Sequence, residues 1–279
     1  MEVNHYMRPQ TLDEAYSLIQ KGGLPVGGGC WLHMNGRSTD TMVDLCELRL
    51  DYIREAGSGD SLDLVEIGAM TTARAIETSP LLDDAFRGAF RHATEHLVGV
   101  QLRNLITIGG TVAGRYGFSD LITLLLALDA RVSLYGQGQM SLGDFLAAPP
   151  KGAFLLESIV VAKNPYVSFQ SLRITRNDFA VLNAAAAFTA EGWRVVVGAR
   201  PAAARLCPNA QAACNAACTA AHAQGAAMVP PAAPSSYASA AAKAAAAETL
   251  FVSDSRGSAD YRRLLCETLV ERAITEAAS

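Results

Sequence analysis

The sequence predicts a globular protein of about two domains that mixes helices and strands. The chain has 279 residues, which corresponds to roughly two domains of about 150 residues each. Half of the residues are hydrophobic and 18% are charged, as expected for a chain that buries a core. Short β-branched segments alternate with segments of helical periodicity throughout.

Charge and apolar patterning exclude several classes of protein. The formal net charge is −4, so there is no basic field to hold a nucleic acid. The longest aliphatic run, residues 121–128, is far shorter than the roughly 20 residues of a membrane helix, and residues 1–9 lack a secretory signal pattern. Six scattered cysteines do not form a disulfide scaffold. We expect a cytoplasmic protein with reduced thiols and no nucleic-acid or membrane partner.

The N-terminal elements are predicted from capping and turn signals. Thr11 precedes a helical stripe with Glu14 at the third position, which is a capping-box pattern. This helix ends at glycines 22–23. An apolar pair at 25–26 then runs into three glycines, and residues 41–45 form the next strand.

The middle of the chain predicts short strands and further helices. Residues 53–67 form short strands, and Thr71 caps a helix that ends near Ile76. Residues 80–97 have helical periodicity, whereas residues 119–127 are consistent with either a buried helix or a strand. Residues 131–135 alternate as a strand.

A domain boundary is predicted near Pro165, because the residue before a proline resists helix. The predicted domains are residues 1–164, with subdomains of about 1–51 and 52–164, and residues 165–279. In the second domain, residues 181–189 and 193–197 are predicted to pair as strands, and residues 261–273 to form a helix. The alanine-rich span 199–247 favours packed helices over disorder.

Gly27, Gly28 and Gly29 are a candidate phosphate-binding loop. Glycines after an apolar strand permit positive φ and let backbone N–H groups approach an anion. A plain tight turn is an equal alternative. The strict dinucleotide fingerprint fails, because Leu32 stands where the third glycine belongs.

A second candidate loop contains Gly109 and Gly110 between the hydroxyl side chains of Thr107 and Thr111. Hydroxyl groups donate to phosphate oxygens, so two such loops could grip both halves of a pyrophosphate. Asp120 follows Ser119 directly and could accept hydrogen bonds from a sugar or nucleobase. Taken alone, a helix cap at Ser119 explains this pair better.

Together these segments resemble the FAD-binding medium subunit of the xanthine dehydrogenase and carbon monoxide dehydrogenase family of molybdenum hydroxylases. The resemblance covers essentially the whole chain. It is carried by the first glycine loop and by Gln-Leu-Arg-Asn-Leu-Ile-Thr-Ile-Gly-Gly-Thr at 101–111, Ser-Asp-Leu at 119–121, Leu-Asp-Ala at 128–130, Arg-Asn-Asp at 176–178 with Ala180 and Asn183, and Ser-Ala-Asp-Tyr-Arg-Arg at 258–263.

The resemblance implies an α+β fold: a two-subdomain FAD-binding domain of the PCMH type, followed by a smaller α+β C-terminal domain. It implies that Asp120 contacts the cofactor near its sugar or ribityl portion and that Leu156 contacts the flavin. It also implies that two segments hold the FAD pyrophosphate: Gly27, Gly28, Gly29, Cys30, Trp31 and Leu32, and Thr107, Ile108, Gly109, Gly110 and Thr111. The sequence departs from the family pattern at Cys30, Trp31 and Thr111.

The implied function is electron transfer within a multi-subunit enzyme. A molybdopterin-binding large subunit would oxidise the substrate, a 2Fe-2S small subunit would relay electrons to FAD here, and NAD⁺ or another acceptor would take them. No catalytic residue and no metal ligand is assigned to this chain. A structural or adaptor subunit that binds FAD weakly or not at all is the alternative. A stand-alone FAD reductase of the cell-wall precursor type would need a catalytic serine or cysteine, for which only Ser171 and Cys207 are candidates.

Two further patterns have structural explanations that we prefer. His92, Glu95 and His96 match a zinc-peptidase signature, but such short patterns arise by accident. Cysteines 207, 214 and 218 with His222 would form one helical stripe. That stripe is too long for one metal ion, so a buried core stripe is expected.

Overall fold

The computed structural model describes residues 2–34, 38–58, 61–222, 230 and 235–279. Its contacts divide the chain into two compact units, each built from three segments. Unit 1 comprises Met1–Ser79, Gly99–Gly114 and Ala130–Ala162, and unit 2 comprises Pro80–Val98, Arg115–Asp129 and Lys163–Ser279. Both units combine helices with sheets, which confirms the α+β prediction.

The strands and helices are as follows in chain order. The strands are β1 (Val3–Met7), β2 (Leu24–Val26), β3 (Thr39–Asp44), β4 (Ile53–Ser58), β5 (Ser61–Gly68), β6 (Arg131–Leu134), β7 (Gly138–Ser141), β8 (Leu156–Ala162), β9 (Val167–Leu172), β10 (Leu182–Thr189), β11 (Gly192–Gly198) and β12 (Arg205–Leu206). The helices are α1 (Leu12–Gln20), α2 (Cys30–Met34), α3 (Ala73–Glu77), α4 (Pro80–Ala85), α5 (Ala89–Thr94), α6 (Val100–Arg103), α7 (Ile108–Gly114), α8 (Asp120–Ala127), α9 (Leu142–Ala147), α10 (Pro208–His222), α11 (Ser235–Glu248) and α12 (Ala259–Ala277).

Unit 1 contains two sheets. The first is parallel, in the order β1-β3-β2, and the second is antiparallel, in the order β4-β5-β8-β6-β7. Helix α1 begins as predicted: the Glu14 N–H donates to Thr11 Oγ1 at 3.2 Å, and the Glu14 carboxylate accepts from the N–H of Gln10. Gly22 ends this helix with a φ of +95°, a conformation that glycine adopts without strain.

Unit 2 is built on the antiparallel sheet β12-β11-β10-β9. The predicted pairing of two strands is confirmed, because β10 pairs with β11 from Asn183↔Gly198 to Thr189↔Gly192. Helices α10, α11 and α12 pack with this sheet around a core that includes many alanines. The alanine-rich helices are therefore confirmed over the described part of that span; residues 223–229 and 231–234 lie outside it.

The cysteines of the predicted stripe are part of this core, with Cys207 directly before α10 and Cys214 and Cys218 within it. Cys207, Cys214 and Cys218 are all buried, and burial raises the pKa of the Cys207 thiol to about 11. The predicted core role is thus confirmed for these three residues. The side chain of His222 lies outside the described part of the chain.

The structure corrects one local prediction and decides between the alternatives for two other segments. Thr72, not Thr71, caps α3, because the Thr71 hydroxyl donates instead to the carbonyl oxygen of Tyr52 at 2.9 Å. The segment 119–127 is a helix with Ser119 as its cap, since Ser119 Oγ accepts from the N–H of Ile122. Helix α5 ends at Thr94, so His96 of the zinc-peptidase pattern lies beyond the helix that would have aligned the two histidines.

The division into units also differs from one boundary near residue 164. Residues 80–98 and 115–129 precede that boundary but pack within unit 2. Helix α8 contacts β10 and β11 there, so long-range packing brings a segment from the first predicted domain into the unit that holds the second. The domains 1–164 and 165–279 remain a prediction.

Candidate functional site

The first glycine loop connects β2 to α2 in unit 1. Gly27, Gly28 and Gly29 are all half-buried, and α2 begins at the next residue, Cys30. Only Gly29 has a positive φ, of +71°. Positive φ therefore explains one glycine of the three, and the other two require a different reason.

That reason is close contact with the second loop. A Cβ atom built on Gly28 would lie 1.5 Å from the carbonyl oxygen of Leu105, and one built on Gly27 would lie 2.5 Å from Thr107 Oγ1. Both distances are below any real Cβ contact. The two predicted loops therefore meet, although they lie about 80 residues apart in the sequence.

The two loops differ in the hydrogen-bond donors that they offer. Among the described residues, no hydrogen bond uses the backbone N–H of Gly27, Gly28 or Gly29. In the second loop, by contrast, the N–H of Ile108 donates to the carbonyl oxygen of Thr71 at 3.0 Å, and the N–H of Gly109 to that of Ala69 at 2.8 Å. The first loop thus offers main-chain donors, and the second uses its own to fix the local fold.

Thr107 contributes the polar side chain of this region. Its Oγ1 accepts from the N–H of Gly110 at 3.2 Å, and a hydroxyl retains one proton for donation. Thr111, in contrast, donates its hydroxyl to the Thr107 carbonyl oxygen at 2.9 Å. Gly109 is also fixed by packing, because a Cβ there would lie 2.6 Å from the Ala69 carbonyl oxygen.

The residues after the first glycine loop are Cys30, Trp31 and Leu32, and all three are half-buried. The Cys30 thiol lies 3.8 Å from the Gly28 carbonyl oxygen, and burial raises its pKa. Its thiol is therefore neutral at physiological pH, which does not oppose an anion at the neighbouring loop.

Asp120 belongs to unit 2 and is nearly inaccessible, with 1% of its surface exposed. Its Oδ2 accepts from Arg173 Nη2 at 2.6 Å, and its Oδ1 accepts from Asn183 Nδ2 at 2.7 Å. Burial raises the pKa of this carboxyl, and these two partners counteract the rise. Both oxygens are engaged within unit 2, and a cofactor contact of Asp120 remains a prediction.

Leu156 begins β8 in unit 1, where it pairs with Leu134 of β6. Its side chain is 5% exposed and so contributes to the core of the sheet. Its contact with the flavin likewise remains a prediction.

Unit 2 also holds a cavity that the sequence did not indicate. It has a volume of about 380 Å³, within the range of small-molecule sites. Phe118 and Phe179 line it with ring centroids 4.4 Å apart, and the Arg256 guanidinium lies 5.3 Å from the centroid of Phe179. These residues are far apart in the sequence. The sequence analysis singled out only the neighbouring motif Arg-Asn-Asp at 176–178, which directly precedes Phe179.

The charges at this cavity are paired. Arg256 Nη2 contacts Asp178 Oδ1 at 2.9 Å, and Asp254 accepts from Arg262 Nη2 at 2.6 Å. The lining also includes Ala199, whose φ of +54° is uncommon outside glycine. Such backbone conformations persist where the surrounding structure enforces them. The cavity thus has aromatic walls and a neutral balance of charge.

Three comparisons with known proteins connect these features to a family. A family model described as "FAD binding domain in molybdopterin dehydrogenase" matches residues 1–162. "Uncharacterized protein YgfM" of Escherichia coli (strain K12) is 31% identical over 205 residues, which cover 70% of this chain and 74% of the relative. The carbon monoxide dehydrogenase medium chain of Afipia carboxidovorans is 29% identical over 293 residues, 98% of this chain and 96% of the relative.

The fold has a solved counterpart as well. The crystal structure of quinoline 2-oxidoreductase from Pseudomonas putida 86 superposes with a TM-score of 0.81 and covers 98% of this chain and 96% of the compared chain. At 21% identity, this likeness shows the fold alone. The family model shows more, because it spans more than half of the sequence: the chain belongs to the family of FAD-binding domains in molybdopterin dehydrogenases and is a flavoprotein component of an oxidoreductase of that kind.

Proposed function

We propose that this chain is the electron-transfer subunit of a multi-subunit molybdopterin dehydrogenase, with its FAD diphosphate held at the first glycine loop. The observation that carries the proposal is the contact of Gly27 and Gly28 with Thr107 and Leu105. Within the part of the chain that the structure describes, the N–H groups of Gly27, Gly28 and Gly29 form no hydrogen bond, and Gly27 packs against the Thr107 hydroxyl. Backbone amides of this kind bind phosphate without cationic side chains.

The chain's own residues bind and orient the cofactor. The N–H groups of Gly27, Gly28 and Gly29 would donate to the diphosphate, and Thr107 would donate its hydroxyl. Bound FAD supplies the redox chemistry by accepting and releasing electrons. The protein needs no acid–base pair for this role, and none is proposed.

The electron partners are proposed from the family. A 2Fe-2S small subunit would deliver electrons, and a molybdopterin-binding large subunit would oxidise the substrate. The Afipia carboxidovorans relative is named a medium chain, which is the name of one subunit among several. No described helix is long and apolar enough to cross a bilayer, and the cytoplasmic location stays a prediction.

The acceptor is proposed to be NAD⁺ or another oxidant with a planar ring. The cavity in unit 2 supports this choice, because Phe118 and Phe179 offer flat apolar walls on which an aromatic ring can pack. The charged residues that line it, Arg256 and Asp254, are each paired with a residue of opposite charge. The walls therefore favour an aromatic ring over a simple ion.

The full chain tests the proposal directly. Purified protein should show a flavin spectrum and release about one FAD per chain on denaturation. Reduced anaerobically with dithionite, it should be reoxidised by NAD⁺ or by a quinone with recovery of the flavin absorbance. A colourless chain that does not take up added FAD would refute the proposal.

An adaptor that binds FAD weakly is the second candidate function. It is favoured by the N–H groups of Ile108 and Gly109, which are already bonded to Thr71 and Ala69, and by Trp31 next to the glycine loop. Titrating the apo chain with FAD separates the two. Micromolar or tighter binding supports the electron-transfer subunit, and the absence of saturable binding supports the adaptor.

A further inference from the structure

A nine-residue loop, 173–181, joins β9 to β10 in unit 2. Its ends are closed by the Val181 N–H, which donates to the Leu172 carbonyl oxygen at 2.8 Å, and by the Leu182↔Leu172 pair. Phe179, one wall of the cavity, lies near the end of this loop. Whatever fixes the loop therefore fixes the wall.

Arg173 bridges this loop to helix α8. Its Nη2 donates to Asp120 Oδ2 at 2.6 Å, and its Nη1 donates to the Asp178 carbonyl oxygen at 2.8 Å. The side chains of Arg173 and Asp120 are only 6% and 1% exposed. Because water is largely excluded from these side chains, the charge-assisted hydrogen bond between them is strong and directional.

The anchor of this bridge is itself fixed from two sides. Asp120 Oδ1 accepts from Asn183 Nδ2 at 2.7 Å, and Asn183 Oδ1 accepts from the Thr123 hydroxyl at 2.9 Å. A Cβ on Gly198 would lie 2.1 Å from Thr123 Oγ1 and 2.4 Å from Asn183 Oδ1. The network is therefore tightly packed and leaves Asp120 little freedom to move.

Asp178 is held at both its carbonyl and its carboxylate. Arg173 binds the carbonyl oxygen, while Arg256 Nη2 binds Oδ1 at 2.9 Å. The same Oδ1 accepts from the N–H of Phe179 at 2.7 Å. These contacts lead step by step from buried Asp120 to the aromatic ring in the cavity wall.

We propose that Arg173 is a positioning residue: anchored by Asp120, it fixes the 173–181 loop and thereby the Phe179 wall of the cavity. Its effect on the acceptor rests on the proposed function, in which this cavity takes a planar oxidant. Its effect on the loop does not.

Arginine is required because it presents two nitrogens in a rigid fork. Lysine would keep the positive charge beside Asp120, but its single ammonium group cannot reproduce the spacing of two guanidinium nitrogens. Arg173→Lys therefore keeps the positive charge that neutralises Asp120 but removes the simultaneous contact with the Asp178 carbonyl oxygen.

Hydrogen–deuterium exchange of the full chain tests the bridge without any ligand. In Arg173→Lys, exchange of the amides in 175–181 should rise by about tenfold or more, while β10 and β11 keep their protection. Arg194→Lys is the matched control, because Arg194 also donates to a carbonyl oxygen, that of Leu126, and pairs with an aspartate, Asp129, away from the loop. It should leave exchange of the loop unchanged.

A second variant keeps the proposal falsifiable if Arg173→Lys unfolds. The pair Asp120→Asn with Arg173→Gln removes both buried charges together and should loosen the loop in the same way. Unchanged loop protection in either folded variant overturns the proposal. So does a loss of protection spread evenly over unit 2, which would mark Arg173 as merely structural.

Reoxidation kinetics test the consequence for the acceptor. With dithionite-reduced chain and NAD⁺, Arg173→Lys should raise the half-saturating NAD⁺ concentration by about tenfold and leave the rate with ferricyanide, a small oxidant, unchanged. If wild-type protein does not react with NAD⁺, that part of the proposed function fails, and the exchange experiment still decides the role of Arg173. If NAD⁺ reacts and the variant saturates like the wild type, the positioning role is wrong.

Discussion

Gly28 is the residue at which the contact between the two loops is tightest. A Cβ there would lie 1.5 Å from a main-chain oxygen, and a main-chain atom cannot move aside as a flexible side chain does. We expect Gly28→Ala to separate the loops and weaken FAD binding by more than about tenfold, which corresponds to 1.4 kcal/mol. FAD content after gel filtration and titration of the apo chain would measure this.

Gly143 provides a matched control for that substitution. It lies in helix α9, and the nearest atom to an added Cβ is Ser141 Oγ at 3.8 Å, an ordinary contact. Gly143→Ala should retain FAD fully and leave stability unchanged or slightly higher. If Gly28→Ala retains FAD as well as Gly143→Ala does, the loop contact is not part of the cofactor site.

Glu77 should make the stability of unit 1 depend on pH. Its carboxylate contacts Arg103 Nε at 2.8 Å and Arg74 Nη1 at 2.9 Å, and its side chain is only 10% exposed. Burial favours the neutral acid, but the hydrogen bonds and charges of the two arginines prevail, so the pKa of Glu77 is lowered. Because its pKa is lower in the folded state, the Glu77 carboxylate stabilises the fold at pH values above its unfolded-state pKa of about 4.3. This stabilisation is lost as the pH falls through the folded-state pKa.

Glu77→Gln should therefore cost about 3 kcal/mol at pH 7, since it removes the charge of a buried carboxylate that pairs with two arginines. The difference from wild type should shrink as the pH falls below about 4. Urea unfolding at pH 7, 5 and 3.5 would measure it. A difference that stays constant across these values would contradict the assignment of the pH effect to Glu77.

At this scale the sequence located the glycines but gave an incomplete physical reason for them. The pattern suggested positive φ and room for an anion, whereas only Gly29 has positive φ and Gly27 and Gly28 are fixed by Thr107 and Leu105. A contact between segments so distant in sequence has no local signature. The same holds for Asp120: its position after a capping serine was visible, but its partners Arg173 and Asn183 were not.

Helix α8 shows most clearly which features could be predicted from local sequence signals and which depend on long-range packing. Its residues are buried on every side, so the run of leucines shows no periodicity from which to choose between helix and strand. The decisive signal was the Ser119 cap, which the structure confirms. By contrast, the amphipathic α1, with Thr11 and Glu14 at its start, could be predicted from the sequence alone.

Ser119→Ala should therefore destabilise unit 2. It removes the acceptor of the Ile122 N–H at 3.2 Å from a buried helix start, a loss of about 1 kcal/mol. Thermal unfolding followed by circular dichroism would measure the change in stability. Ser141→Ala, which removes an equivalent cap at the start of α9 in unit 1, is the variant with which this change is compared. A Ser119→Ala variant as stable as wild type would show that the cap contributes nothing.

The whole molecule was predictable in class and family. Alternating strands and helices indicated a mixed fold, and the glycine and Ser-Asp motifs indicated the FAD-binding family, which the family match over residues 1–162 confirms. The assembly of unit 2 from three segments of the chain depends on the packing of α8 against β10 and β11. No sequence pattern encodes such packing, and the cavity with Phe118 and Phe179 depends on it.

The central claim is that the main chain at Gly27–Gly29 holds the diphosphate of FAD. Titration of the apo chain with FAD, FMN and riboflavin tests it most directly, because the three ligands share the flavin ring and only FAD contains a diphosphate. The account predicts that FAD binds with one site per chain and at least about a hundredfold more tightly than riboflavin, a difference of 2.7 kcal/mol or more. Equal affinities for FAD and riboflavin would contradict it.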